Sequence, residues 1–288
     1  MNIGPMNSGP MNSTRDYLAS LFDLSGKTAL VTGGSSGIGL MMTRALVSAG
    51  ARVLIASRKL DACRQAADSL GGLPGSCVAL QADLQNEEGV NSLAASVAEH
   101  CEQLHILVNN SGRSWGAPLE QFPWKAWNEV MTLNVTAPFT LTRQLLPLLS
   151  LAATCEQPAR VINIGSVMGT MPQGFPAYSY AASKAALHHV TRILANELAD
   201  RHIAVNAIAP GPFPSNMTAF FINNENASQA VRNSVPLKRL GMEQDIAGLI
   251  LCLCGAGGAY ISGAIIPLDG GMTAYRSPGI EQGIEGMY

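Results

Sequence analysis

The segment TALVTGGSSGIG, residues 28–39, joins a short apolar run to a turn that contains four glycines. Residues 28–32 predict a β-strand, and the residues after the turn predict a helix to about Ala49. Glycines let a backbone approach a pyrophosphate closely, and a helix N-terminus adds N–H donors and a positive dipole. A plain tight turn is the alternative. The predicted phosphate-binding residues are Gly33, Ser35, Ser36, Gly37, Ile38 and Gly39.

Apolar runs and amphipathic runs alternate along the rest of the chain. Strands are predicted at residues 28–32, 52–56, 77–81, 105–109, 160–164, 204–208 and 264–268. Further helices are predicted at residues 60–70, 87–101, 124–149 and 180–199. This alternation predicts an α/β fold, a single Rossmann-type doubly wound domain whose seven-stranded parallel sheet carries helices on both faces. Ligands bind such sheets at the carboxyl ends of the strands.

No linker or shift in composition divides residues 25–275, which we therefore predict to be the catalytic domain. Residues 1–24 begin with a repeated unit, MNIGP then MNSGP, and predict a flexible arm, with a partner-binding or targeting arm as the alternative. A small lid is predicted near residues 213–235. Its apolar side chains would face a hydrophobic substrate, or pack on the sheet or a neighbouring subunit. Residues 276–288 predict a polar tail, disordered or covering a neighbouring subunit's pocket.

Charged residues make up only 13% of the chain, and the net charge is −2. Typical globular domains carry about 25% charged residues, so the low content favours a well-buried core and surface lost to subunit contacts. No basic or acidic run indicates a nucleic acid partner or an anionic membrane surface. The uncharged residues 246–268 are interrupted by five glycines and a proline, which favours a short helix, a turn and a strand over a membrane-spanning helix.

The six cysteines are scattered, and no CxxC motif occurs. In a chain of this length they predict reduced, packed thiols in a cytoplasmic protein. Cys252 and Cys254 lack a second ligand pair nearby, so we expect no metal site there.

Tyr180 and Lys184 lie four positions apart at the start of a predicted helix. Residues at this spacing share one helical face. A neighbouring positive charge favours the phenolate and lowers the pKa of a tyrosine, which suits it to acid–base work near neutral pH. Tyr178 is the rival, but the residue four positions after it is Ala182. Tyr180 is therefore the predicted acid–base residue, and Tyr178 is expected to pack beside the pocket.

The glycine-rich turn, the segment NNSG at residues 109–112 and the YxxxK motif together resemble the short-chain dehydrogenase/reductase family. The resemblance covers residues 26–272. It implies an NADP-type oxidoreductase acting on a small carbonyl substrate, usually as a homotetramer, with a dimer as the alternative. In this family Asn134 would kink a helix and hold a water that leads to Lys184. Ser166 would hydrogen-bond the carbonyl oxygen, Tyr180 would transfer the proton, and Lys184 would also bind the ribose hydroxyls.

The resemblance also implies cofactor contacts at the ends of the strands. Asp83, followed by Leu84, would accept a hydrogen bond from the adenine amino group; a helix N-cap is the alternative for Asp83. Ser57 and Arg58 stand where an acidic residue would bind the ribose 2′-hydroxyl. Arginine suits a 2′-phosphate, which favours NADP(H) over NAD, with a solvated loop arginine as the alternative. The other implied contacts are Asn110, Ser111, Gly112, Tyr180, Lys184, Pro210, Gly211, Phe213 and Ser215, with Thr218 the rival of Ser215.

Residues 114–120, 158–167 and 209–218 resemble the branch of that family formed by the 3-oxoacyl thioester reductases of rhamnolipid synthesis. This resemblance implies reduction of a 3-oxoacyl thioester to a 3-hydroxyacyl product. Oxidoreductases of alcohols, sugars, steroids, polyketides and simple ketones in the same family are alternatives. A non-catalytic NADP-binding sensor or scaffold is the alternative from another class, and the presence of all four catalytic side chains argues against it.

Overall fold

A parallel sheet forms the centre of the structure, a computed structural model that describes residues 14–172, 174–215 and 225–274. The strands are β1 (Thr28–Thr32), β2 (Arg52–Ser57), β3 (Ser76–Gln81), β4 (Ile106–Asn109), β5 (Ala159–Ile164), β6 (Ile203–Pro210) and β7 (Ile265–Leu268). Their order across the sheet is β3-β2-β1-β4-β5-β6-β7, and every neighbouring pair is parallel. The predicted doubly wound, Rossmann-type sheet is confirmed.

The helices follow the strands in alternation, as the sequence predicts. They are α1 (Thr14–Ser20), α2 (Gly37–Ser48), α3 (Leu60–Ser69), α4 (Glu87–His100), α5 (Trp124–Met131), α6 (Ala137–Ala152), α7 (Tyr178–Glu197), α8 (Glu225–Ser234) and α9 (Glu243–Cys254). The helix predicted at residues 124–149 is divided by a π-helical turn, Thr132–Thr136, where the resemblance implies a kink at Asn134.

Successive side chains of β1 enter two different cores, one on each face of the sheet. Val31 belongs to the core that contains α2 and α9, whereas Leu30 belongs to the core that contains α4 and α6. Both side chains are fully buried. Strand side chains alternate between faces, so a strand covered on both faces must be apolar throughout. This explains why the strands appear in the sequence as unbroken apolar runs.

A chain of buried amides holds two of the helices against the sheet. Asn109 Nδ2 donates to Asn163 Oδ1 at 2.9 Å and to Thr142 Oγ1 at 3.2 Å. Asn163 Nδ2 in turn donates to Thr191 Oγ1 at 2.9 Å. Each buried amide therefore has partners, which removes the cost of burying it. The chain fixes α6 and α7 relative to β4 and β5, and α7 carries the Tyr–Lys pair.

The structure describes residues 14–24 of the predicted arm and attaches them to the domain. They contain α1 and then Leu24, which is 2% exposed. Leu24 N donates to Ala49 O at 2.8 Å, and Leu21 O accepts from Ala256 N at 3.0 Å. The rest of the arm, most of the start of the predicted lid and the predicted tail lie outside the described residues, so these boundaries stay predictions.

The described ranges contain no helix long and apolar enough to cross a bilayer. Within the same ranges, no three His, Cys, Asp or Glu side chains lie close enough together to hold a metal ion. All six cysteines are free thiols.

Candidate active site

The glycine-rich turn leaves β1 and enters α2 with little room for side chains. Gly33 and Gly37 have φ angles of +66° and +52°, a region that favours glycine. A Cβ on Gly39 would overlap the carbonyl oxygen of Gly33. Ser36 is the N-cap of α2, but its hydroxyl makes no capping bond. The N-terminal backbone of α2 is thus approachable, because glycines stand where a side chain would be strained or would overlap the turn. Ser35 and Ile38, the other predicted phosphate-binding residues here, are half-buried.

The segment after β4 is hydrogen-bonded to this turn. Asn110 Nδ2 donates to the carbonyl oxygens of Thr32 at 2.8 Å and Gly33 at 3.2 Å. The backbone N–H groups of Asn110 and Ser111 both donate to Thr32 Oγ1, at 2.9 and 3.0 Å. The side-chain amide of Asn110 is therefore used in hydrogen bonds to the glycine-rich turn. A cofactor contact from Asn110 would come from its backbone.

The predicted adenosine-side residues lie at the carboxyl ends of β2 and β3. Arg58 is exposed directly after β2. Ser57 Oγ lies 3.2 Å from Lys59 O and 3.1 Å from Cys63 Sγ, which fixes its position at the strand end. Asp83 is exposed and accepts from Gln85 N at 3.1 Å.

The N-cap alternative for Asp83 is wrong. The N-cap of α4 is Asn86, whose side chain accepts from Gly89 N at 2.8 Å. Asp83 thus keeps an exposed carboxylate oriented by a local turn, while Leu84 beside it is buried at 7% exposure.

The loop after β6 meets the glycine-rich turn. Pro210 ends the strand, and Gly211 N donates to Leu268 O at 3.0 Å. A Cβ built on Gly37 would lie 3.1 Å from Ser215 Cβ, so Ser215 lies directly against the turn. Its rival Thr218 lies outside the described residues.

Phe213 has a different environment from the one that its position in the loop implies. The side chain is only 2% exposed, and its ring occupies the space that a Cβ on Gly241 would fill. The ring is a core side chain, so a cofactor contact from this residue would come from its backbone.

These strand ends fit a phosphorylated dinucleotide. The turn provides a glycine cradle and a helix N-terminus for a pyrophosphate. Arg58 provides a cation for a 2′-phosphate, and Asp83 an acceptor for an amino group. All of them lie at the carboxyl edge of one parallel sheet, where doubly wound folds bind ligands.

The π-helical turn carries Asn134, where the family resemblance implies a kink. The residue is 1% exposed, and its side chain is fully bonded. Asn134 Oδ1 accepts from Arg113 N at 2.9 Å, and Nδ2 donates to Arg113 O at 3.0 Å and to Ser183 Oγ at 2.9 Å. π-helical turns occur frequently at functional sites. Here the turn lets one amide connect the loop after β4 to α7.

Lys184 is buried at 4% exposure beneath the loop after β4. Its Nζ donates to Ile164 O at 2.6 Å and lies 5.6 Å from the centre of the Tyr180 ring. An ideal Cβ on Gly112 would be 3.6 Å from Nζ and 3.2 Å from Asn134 Oδ1, so both side chains face Gly112. Burial lowers the pKa of Lys184 to about 8, which keeps the ammonium as the major form at neutral pH.

Tyr180 is protonated in this environment. Burial raises the pKa of the phenol above its ordinary value, and a hydrogen bond with Ser166 lowers it in part. The Lys184 ammonium is expected to lower this pKa, but the net shift is upward because burial outweighs the lowering effects. Ser166 is 6% exposed, and its Oγ also accepts from Met168 N at 3.2 Å. The site therefore pairs a neutral phenol with a serine hydroxyl.

Tyr178 packs in an aromatic group, and its place beside the substrate pocket stays a prediction. Its ring meets Phe122 edge-on at 5.5 Å, and Phe122 meets Trp127 edge-on at 6.1 Å. The side chain remains 39% exposed.

Ser183 is a site residue that the motifs did not single out. Its hydroxyl donates to Tyr180 O at 2.7 Å and accepts from Asn134. Ser183 lies three residues after Tyr180, and residues at this spacing are neighbours on a helix surface. That spacing was the sequence signal that could have identified Ser183 as a site residue.

Residues 27–226 match the family model of the short chain dehydrogenases. The chain belongs to this family, which confirms the prediction from its motifs.

Two relatives and one solved structure are similar to this chain over most of its length. The rhamnolipids biosynthesis 3-oxoacyl-[acyl-carrier-protein] reductase of Pseudomonas aeruginosa is 50% identical over 250 residues, covering 87% of this chain and 97% of the relative. The galactitol 2-dehydrogenase (L-tagatose-forming) of Cereibacter sphaeroides is 34% identical, covering 90% and 100%. A solved Pseudomonas aeruginosa RhlG/NADP active-site complex has a TM-score of 0.86 at 50% identity, covering 88% of this chain and 98% of that one.

Proposed function

We propose that this protein is an NADPH-dependent reductase of 3-oxoacyl thioesters that forms 3-hydroxyacyl products. The observation that carries the reaction class is the half-buried Tyr180 phenol, which lies beside the Ser166 hydroxyl and whose ring centre is 5.6 Å from the Lys184 ammonium. A phenol in this state is a proton donor, and reduction of a ketone requires one.

Each side chain of the site has a distinct task. When bound, NADPH supplies the hydride for the carbonyl carbon. Tyr180 gives its proton to the carbonyl oxygen, while the Ser166 hydroxyl donates a hydrogen bond to that oxygen as negative charge develops. Lys184 stabilises the phenolate that remains, because an opposite charge nearby favours the ionised form, and it binds the ribose hydroxyls. Asn134 keeps Arg113 and Ser183 in place beside Lys184 and supports a proton path to solvent.

The choice of NADP(H) over NAD rests on the end of β2. Ser57 and the exposed Arg58 stand there, and neither is a carboxylate that would repel a 2′-phosphate. The related RhlG complex holds NADP in its active site.

The choice of substrate rests on the Pseudomonas aeruginosa relative at 50% identity, whose name describes a 3-oxoacyl-[acyl-carrier-protein] reductase. Apolar side chains also stay exposed in the loops that follow β4 and β5, including Trp115 at 42% and Phe175 at 41%, and such side chains suit contact with an acyl chain. A sugar alcohol oxidoreductase is the second candidate, because the galactitol dehydrogenase is 34% identical.

NADPH consumption on a substrate panel tests the proposal. We expect the highest kcat/KM with 3-oxoacyl thioesters, rising from acetoacetyl to longer acyl chains, and low values with ketoses and simple ketones. A sugar or simple ketone as the best substrate overturns the assignment of substrate. Tight NADPH binding without turnover on any compound indicates a non-catalytic cofactor-binding protein instead.

We also propose that the protein acts in the cytoplasm as a homo-oligomer, a tetramer rather than a dimer. Large apolar side chains remain exposed on α6 and α7, among them Phe139, Leu151 and Ile193. Contact with other subunits would cover such side chains. Light scattering coupled to size exclusion gives the subunit number, and a monomer at micromolar concentration contradicts this part of the proposal.

A further inference from the structure

His188 lies one helical turn after Lys184 on α7 and is 4% exposed. Its Nε2 has no hydrogen-bond partner among the described residues. Buried polar atoms normally have partners, so an unpartnered imidazole beside a reaction centre requires an explanation.

The imidazole ring fills the space beside two glycines of the loop after β5. A Cβ on Gly165 would overlap His188 Nε2, and a Cβ on Gly169 would lie 2.9 Å from His188 Cε1. The same Cβ on Gly169 would lie 2.6 Å from the backbone carbon of Lys184. The two glycines are therefore where the loop comes close enough to touch α7.

These glycines bracket Ser166. Gly165 precedes it, and the 3₁₀ turn Val167–Gly169, which Ser166 caps with its own hydroxyl, follows it. The ring also makes a hydrogen bond with the backbone of Gly169. The imidazole thus contacts both ends of the short segment that presents the Ser166 hydroxyl to Tyr180.

We propose that His188 is a positioning residue, which holds the Gly165–Gly169 segment against α7 and so sets the place of the Ser166 hydroxyl. The inference rests on the proposed carbonyl reduction. A bulkier ring would push the segment outward, and a smaller side chain would leave it unsupported.

The ring performs this task in its neutral form. Burial, together with the Lys184 and Arg192 cations on the same helix, lowers the pKa of His188 to about 4. A neutral ring adds no positive charge next to Lys184 at neutral pH.

Three variants distinguish a role of His188 in positioning Ser166 from a role in stabilising the fold. His188→Leu keeps a similar volume without hydrogen bonding, His188→Asn keeps a donor near the place of Nδ1, and His189→Leu alters the exposed neighbour as a control. We expect His188→Leu to lower kcat by about tenfold to a hundredfold, the scale of a small displacement of a reacting group. The dissociation constant of NADPH stays near that of the wild type, His188→Asn recovers part of kcat, and the control is unchanged.

A double-mutant cycle with Ser166→Ala makes the test specific. If His188 acts through Ser166, adding His188→Leu to Ser166→Ala causes no further loss of kcat. The same cycle with His188→Asn serves if the leucine variant folds poorly. Multiplicative losses, or an unchanged kcat in an active, folded His188→Leu variant, overturn the inference alone. A wild-type protein that reduces no carbonyl compound overturns the proposed function and this inference together.

Discussion

At the scale of single residues, burial shifts the pKa values of the Tyr–Lys pair towards each other but leaves both groups protonated at pH 7. It raises the pKa of Tyr180 and lowers the pKa of Lys184 to about 8. The donor and the cation therefore exist together before a substrate arrives. Tyr180 need not be ionised in the resting enzyme, because reduction begins from its protonated form.

Arg58 provides a residue-scale prediction about cofactor choice. Arg58→Ala should raise the KM for NADPH by about tenfold to a hundredfold, because a hydrogen bond between charged groups contributes about 1.5–3 kcal/mol. The KM for NADH should change little, since NADH has no 2′-phosphate. Steady-state rates with both cofactors make the comparison, and Lys59→Ala is the neighbouring control. An equal effect on the two cofactors contradicts the assignment.

His188 predicts how stability depends on pH. The unfolded chain binds a proton near pH 6.5, whereas the folded protein does so only near pH 4. The unfolded state thus carries more protons between these values, and the free energy of unfolding falls as the pH falls through that window. The loss from this one group approaches about 3 kcal/mol, at about 1.4 kcal/mol for each unit of pKa difference. Urea unfolding at pH 7 and pH 4.5 should show a smaller difference for His188→Asn than for the wild type. Equal differences contradict the prediction.

At the scale of elements, each piece of the site is carried by the end of a strand and the start of the helix after it. The glycine-rich turn joins β1 to α2, and the Ser166 segment joins β5 towards α7. Asn110 and Asn134 then connect these pieces across the sheet edge. The elements were predictable because alternating apolar and amphipathic runs determine them locally.

Some features of these elements were not predictable. The family resemblance implied a kink at Asn134, but the bonds of Asn134 to Arg113 and Ser183 are long-range contacts that leave no periodic pattern in residues 124–149. Phe213 stands in a cofactor-binding loop by position, but the sequence does not tell that its ring enters the core beside Gly241.

Two glycines in helices provide an element-scale prediction. Gly39→Ala should abolish NADPH binding or folding, because the new Cβ overlaps the backbone of Gly33. Gly248→Ala is the matched control, since that glycine lies in α9 with nothing within 4 Å of an added Cβ. The control should stabilise the protein by about 0.5–1 kcal/mol through its better helix propensity. Fluorescence titration with NADPH and thermal unfolding measure both effects. Normal NADPH binding by Gly39→Ala contradicts the close packing of the turn.

At the scale of the whole molecule, the fold and the reaction class followed from motifs in a fixed order, because each motif falls at a strand end of one sheet. The substrate class came instead from the resemblance of residues 114–120, 158–167 and 209–218, because the four catalytic side chains suit any carbonyl compound. Residues 216–224 of the predicted lid lie outside the described part of the structure. The domain limits at the two ends of the chain stay predictions for the same reason.

Truncation tests how the chain before residue 25 contributes to the whole domain. Removing residues 1–24 deletes the buried Leu24 and the hydrogen bonds made by Leu21 and Leu24. It should lower the free energy of unfolding by about 2–5 kcal/mol, the range for deleting a buried leucine. Removing only residues 1–20 keeps these contacts and should cost much less. Equal melting temperatures for the two truncations contradict this attachment.

The central claim is that Tyr180 donates the proton and that Tyr178 does not. The most direct measurement is the rate of NADPH oxidation with a 3-oxoacyl thioester for Tyr180→Phe and for Tyr178→Phe, with NADPH binding measured in parallel. Tyr180→Phe should lose about 10²–10⁴-fold in kcat, the usual contribution of a general acid, while its affinity for NADPH stays near that of the wild type. Tyr178→Phe should keep a rate near that of the wild type. A near-normal rate for Tyr180→Phe, or a large loss in Tyr178→Phe alone, would contradict the account.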